Sequence, residues 1–270
     1  SAWGAAVYVG TVAAIASPSD TFSAVIGDLR QASTLGPYPG GLPGKLIASP
    51  FNLSRVRLAP SSDPTTNFSF AAQDLNNQYL RYLDPDRLLW NFRVVAGLPN
   101  VTYGPYGGWI GNRSLVAGHF TGHFLSAMAF AVAATGDPVV KAKSTHLVSE
   151  LAKCQQHLCE VNATLCGYVS GYSFDQIVAL EEHEGPTWAT YYTIHKVMAG
   201  LLDTYLNTAN DEALEILLRM TAFHKQRIDN VIASKGREWW DECLLVEFGG
   251  MNEVMYNLYS ITNNTDHLDM

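Results

Sequence analysis

His119 and His123 stand four residues apart in "GHFTGHFLSAMAFAVAATGD" (118–137), a spacing that puts both imidazoles on one face of a helix. Zinc ligands of His-Glu-x-x-His proteases share that spacing, but their chemistry needs a base and a third ligand, and residue 120 is Phe. Two other roles suit the pair: a helix-start histidine satisfied by a backbone carbonyl, or a polar contact with a ligand at a pocket mouth. His123 lies one turn deeper and is the better pocket residue. His195, in "TYYTIHKVMAG", shares three- and four-residue spacing with Tyr191 and Trp188, which makes either a packed core or an aromatic wall. Asn252 and Glu253, in "FGGMNEV", open a helix where free amides and the dipole favour a carboxylate, as a cap or as a contact to a ligand hydroxyl. Glu253 as a catalytic acid has no partner carboxylate. In "YGPYGGWIG" (103–111) the glycines free the backbone beside Trp109, giving either a structural turn or an aromatic platform.

The cysteines leave alternatives open. Cys154, Cys159 and Cys166 are close together and Cys243 is distant, so several pairings are formally allowed. A Cys159–Cys166 disulfide is the simplest. A zinc site from Cys154, His157, Cys159 and Cys166 is the sharper alternative, yet it lacks a Cys-x-x-Cys unit. We assign no metal site in this chain.

The elements that must position these residues are helical. Residues 17–69 are rich in Ser, Pro, Gly and Thr and read as an irregular lead-in with one short strand in "SRVRLAP". From residue 70 the periodicity is that of helices, broken first at Asp84-Pro85, with Asp84 and Asp86 as caps, and ending at Gly97. Beyond it a repeat emerges: mostly apolar helices end in "ATGDP" (134–138), "NTAND" (207–211) and "TNNTD" (262–266). The first two turns are followed by amphipathic segments, and the third breaks off at Met270 inside what should be its outer helix. This alternation predicts inner helices walled on both sides and outer helices facing water. Glu181, Glu182 and Glu184 read as a solvated loop.

Composition narrows the function classes. The 270 residues are 47% hydrophobic and 16% charged, enough to bury a real core. A formal charge of -8, from 25 acidic and 17 basic residues with no basic run, excludes nucleic acid and an anionic membrane surface as expected partners. Residues 1–16, almost uncharged and ending Ala14-Ile15-Ala16, read as the remnant of a secretory signal, with a buried strand or helix as the alternative. Sequons begin at Asn52, Asn67, Asn100, Asn112, Asn162 and Asn263 and point the same way, to the secretory route.

Seven motifs, "YLDPDRLLWNFRVVAGLP", "YGGW", "GHFTGHFLSAMAFAVAATGD", "ELAKCQ", "GYVS", "TYYTIHKVMAGLLDTY" and "GGMNEVMYNLYSIT", together resemble the N-terminal half of glycoside hydrolase family 127, the β-L-arabinofuranosidases, in their plant-like branch. The resemblance covers about residues 70 to 270. It implies an all-α fold, an (α/α)6 barrel of helical hairpins of which these residues form about the first half, completed elsewhere. It implies a pocket at the barrel end for a furanose sugar, and retaining hydrolysis of L-arabinofuranosides or related glycans. Unlike glycosidases with two carboxylates, this family uses a cysteine thiolate held on zinc by a Glu-x-Cys pair and a further cysteine, with a separate glutamate as acid/base. No cysteine here follows a Glu-x pattern, so the catalytic residues and zinc are expected beyond residue 270, and these residues alone are expected to be inactive. The sugar-binding residues expected here are His123, His195, Tyr191, Trp109, Glu253, Asn252 and His119. The alternative is a non-catalytic helical-repeat module that binds a carbohydrate or a protein.

Overall fold

The computed structural model describes residues 51–60, 63, 67–112, 114–245 and 250–270. The signal-like segment and most of the lead-in lie outside the described residues. Among those described there are nine α-helices and no strand. The strand expected in "SRVRLAP" is instead a 3-10 turn, Leu53–Arg55, followed by exposed extended chain with no partner strand.

Two helices, α1 (Phe68–Tyr82) and α2 (Pro85–Ala96), meet at the predicted break. Asp84 Oδ1 accepts the Asp86 amide at 2.9 Å and Pro85 occupies the first helical position, where its missing N–H costs nothing. Asp86 does not cap. Its carboxylate takes Arg93 Nη2 at 2.7 Å, and the same guanidinium reaches Glu150 Oε2 at 2.7 Å, fastening α2 to the outer helix α4 (Pro138–Val161).

The inner helices are α3 (His119–Thr135), α6 (Thr190–Thr208) and α9 (Gly250–Thr262). Each ends by the same local device. A threonine hydroxyl donates back four residues, Thr135 to Ala131 O at 2.6 Å, Thr208 to Thr204 O at 2.7 Å and Thr262 to Leu258 O at 2.9 Å. The next residue is left-handed: Gly136 at φ 72°, Ala209 at φ 55° and Asn263 at φ 55°. Asp137, Asn210 or Asn264 then accepts amides from the turn that follows. After the first two turns the chain returns as outer helices, α4 and α7 (Asp211–Lys235). After the third it makes a 3-10 turn, Thr265–His267, rather than the outer helix the repeat led us to expect.

Two short helices, α5 (Phe174–Glu181) and α8 (Arg237–Cys243), were not legible as elements. They correct the reading of the acidic group. Glu181 is 3% exposed and holds Arg227 of α7 in a two-point ion pair, with Nε to Oε1 at 2.8 Å. Glu182 pairs with Lys235, and only Glu184 is simply exposed.

The inner helices are held closer than side chains normally allow. A Cβ added to Gly122 would stand 2.0 Å from the Lys196 carbonyl oxygen, and one at Gly200 would stand 2.5 Å from the Gly122 carbonyl oxygen. Helices α3 and α6 therefore touch backbone to backbone. Among the described helices, none is long and apolar enough to cross a membrane.

Candidate functional site

The first turn of α3, at Gly122, meets the middle of α6 between Lys196 and Gly200, and α9 starts against His195 of α6, so the three inner helices surround one cleft. A Cβ on Gly250 would stand 2.2 Å from Cε1 of His195, so only glycine lets α9 seat on that ring. The cleft holds about 220 Å³ and is lined by His123, Ser126, His195, Lys196, Asp203 and Glu253 among others. This is below the roughly 300–1,000 Å³ of pockets for drug-sized ligands, a scale suited to one sugar ring.

His195 is 9% exposed. Burial, then the nearby Lys196 and His123, lowers its pKa to about 4, so at neutral pH it is uncharged, with one ring nitrogen able to donate and one to accept. His123 stands on the cleft wall, and burial, Lys196 and His119 lower its pKa too. Asp203 moves the other way: burial and the charge of Glu253 raise its pKa, while a hydrogen bond from Ser126 opposes them. Lys196 is partly desolvated, which lowers its pKa, and its ammonium sits 4.5 Å from the centre of the Tyr192 ring. The cleft thus offers donors and acceptors of several kinds, suited to the hydroxyls of a polyol.

An aromatic rim adjoins it. Trp109 and Trp188 meet edge to face at 6.0 Å, and His119 lies 6.4 Å from Trp109, 6.3 Å from His123 and 6.5 Å from Tyr192. Trp109 is 69% exposed although it belongs to a short 3-10 turn, Gly108–Ile110, which leaves a large apolar face open to a ligand. His119 Nδ1 donates to the Val116 carbonyl at 2.7 Å, the backbone-satisfied role, and this leaves Nε2 as the acceptor.

Of the residues expected at a sugar site, His123, His195 and Glu253 meet in the cleft, and Trp109 and His119 at its rim. Tyr191 does not. It is 3% exposed and packs edge to face on His224 and Trp240, because a helix turns about 100° per residue and sends neighbouring tyrosines to different sides. Tyr192 takes the rim position. Asn252 is exposed and does not line the cleft. Sequence reasoning missed Ser126, Lys196 and Asp203. The signal was helical spacing: Ser126 is three residues from His123, and Asp203 is two turns from His195.

The zinc implied by the resemblance does not fit the described residues, among which no group of three His, Cys, Asp or Glu side chains could hold a metal. Cys159 and Cys166 are joined in a disulfide. Burial pushes the Cys154 thiol up to about 12 and the Cys243 thiol up to about 11. Both are poor thiolates.

Among known proteins, the family model for the β-L-arabinofuranosidase GH127 catalytic domain matches residues 64–270. No curated protein matches. With inner helices, returning outer helices and a polar cleft between α3, α6 and α9, and with that match over most of its length, the chain belongs to the glycoside hydrolase family 127 β-L-arabinofuranosidase catalytic-domain family.

Proposed function

We propose that the cleft between α3, α6 and α9 is the sugar-binding wall of a secreted, retaining glycosidase acting on L-arabinofuranosides or related glycans. The observation that carries this is the convergence of His123, His195 and Glu253 on one cleft of monosaccharide scale. Neutral His195 would hold a sugar hydroxyl without bringing a charge into a half-buried site. His123 and Glu253 would fix the ring from the flanking helices, and Trp109, Trp188 and Tyr192 would cover its apolar face. The thiolate nucleophile, its zinc and the acid/base glutamate are expected in sequence outside these 270 residues, so the chain alone binds sugar and does not hydrolyse it. The six sequons and the disulfide support the secretory route.

Saturation-transfer NMR with methyl β-L-arabinofuranoside tests the binding. We expect transfer to the sugar with the wild-type chain and its loss with His195→Ala. No transfer to the wild type would overturn the assignment of the cleft. Turnover of p-nitrophenyl β-L-arabinofuranoside by the chain with added zinc would overturn the placement of the nucleophile elsewhere. Binding without any family-type hydrolysis in a longer natural chain would favour the non-catalytic module.

A further inference from the structure

The fold treats the sequons unequally. Asn100 is half-buried and its Nδ2 donates to the Trp90 carbonyl at 2.6 Å, so one of its two amide protons already ties the loop after α2 to the helix. Asn162 is the opposite case. It is exposed, at the end of outer helix α4, where it starts the 3-10 turn Ala163–Leu165. Its Oδ1 accepts the Thr164 amide at 3.0 Å and the Thr164 hydroxyl at 2.8 Å. The two sequon side chains are therefore already in contact, and the amide oxygen is fully engaged. Among the described residues no acceptor takes the Nδ2 protons. The Cys159–Cys166 disulfide, with a sequence separation of 7, closes a small loop around this asparagine and holds it at the surface. Disulfide formation and N-glycosylation occur along the same oxidising route, so two independent features point to one compartment. Asn162 does not line the cleft, so a glycan there leaves the sugar site open.

We propose that Asn162 is an N-glycosylation site, the donor being an oligosaccharide linked to a lipid pyrophosphate. In the transfer a bond forms between Nδ2 and the first sugar carbon, and the bond from that carbon to the pyrophosphate oxygen breaks. The lipid pyrophosphate leaves with the electron pair, and the transferase takes up one Nδ2 proton. The proposal rests on the secretory reading given above, and the test separates the two. The full chain is expressed in a eukaryotic cell behind a supplied secretory leader, and site occupancy is read by mass spectrometry on both microsomal and secreted material. The peptide carrying Asn162 should be glycosylated, and Asn162→Gln and Thr164→Ala should each remove one endoglycosidase-sensitive step in gel mobility. An unmodified Asn162 peptide in imported chain, whether or not other sequons are occupied, overturns the site. Because occupancy is read on microsomal chain as well, a variant that folds too poorly to be secreted still reports. The protein's location in its native cell is a separate measurement: a non-secretory location would sink the secretory reading and leave the acceptor result standing.

Discussion

The two ends of the inner helices are built by different means. At the turn end, α3, α6 and α9 repeat one local pattern, in which a threonine bonds back, a left-handed residue follows and an Asp or Asn caps the next turn. At the cleft end nothing repeats. His123 with Ser126, His195 with Lys196 and Asp203, and Glu253 come from different positions on their helices, and they meet because glycines let the backbones approach. Local hydrogen bonds need only neighbours in sequence, so they can be copied from hairpin to hairpin. A binding site needs different groups from each helix, so it cannot.

Among single substitutions the largest expected effect falls at the cleft end. Gly122→Ala should destabilise the fold by about 3 kcal/mol, the upper part of the overpacking range, because the new methyl meets backbone rather than a movable side chain. Denaturant melts should show it together with loss of sugar binding. An unchanged midpoint would mean that α3 and α6 are not in backbone contact.

Acid should act on both ends at once. Burial lowers the pKa of His195 at the cleft end to about 4, of His267 beside the third turn to about 4, and of His224 in α7 to about 3. Unfolded histidine titrates near 6.5, so between that pH and about 4 the unfolded chain binds more protons than the folded one, and stability falls as pH falls. Each histidine contributes a slope of about 1.4 kcal/mol per pH unit across its window. A chemical-melt midpoint that stays flat from pH 6.5 to 4.5 would contradict the burial of all three.

At the turn end the effects are smaller and should leave sugar binding intact. Asp137, 5% exposed, accepts the amides of Val139 and Val140 and the Arg81 guanidinium. Burial alone would raise its pKa, but these donors hold its carboxyl below the ordinary range. Asp137→Ala should cost about 1–2 kcal/mol. A loss of sugar binding in that variant, at a temperature where it stays folded, would show that the two ends are coupled. Last, Ala209 occupies a left-handed position that Gly136 fills in the first turn. Ala209→Gly should stabilise by up to about 1 kcal/mol, visible as a small rise in Tm. A fall in Tm would mean that the added freedom of the unfolded chain outweighs the relief of strain.

What the sequence alone determined was the part set by near neighbours. The Thr-x-Asx turns, the Asp84-Pro85 start, the end at Gly97 and the alternation of apolar and amphipathic helices were legible because caps and periodicity act over a few residues. His123 and Glu253 could also be named because they stand near helix starts, and His195 because it is spaced four residues from Tyr191. The tertiary structure alone decided which neighbours face the cleft. Tyr192 stands at the rim while Tyr191 is core, Asp203 reaches the cleft from two turns away, and Glu181 is a buried partner of Arg227 instead of a solvated loop residue. These outcomes depend on the rotation and separation of whole helices, which the contacts at Gly122, Gly200 and Gly250 set across long stretches of chain. Such contacts leave no periodic trace, because a single missing side chain is enough to make them.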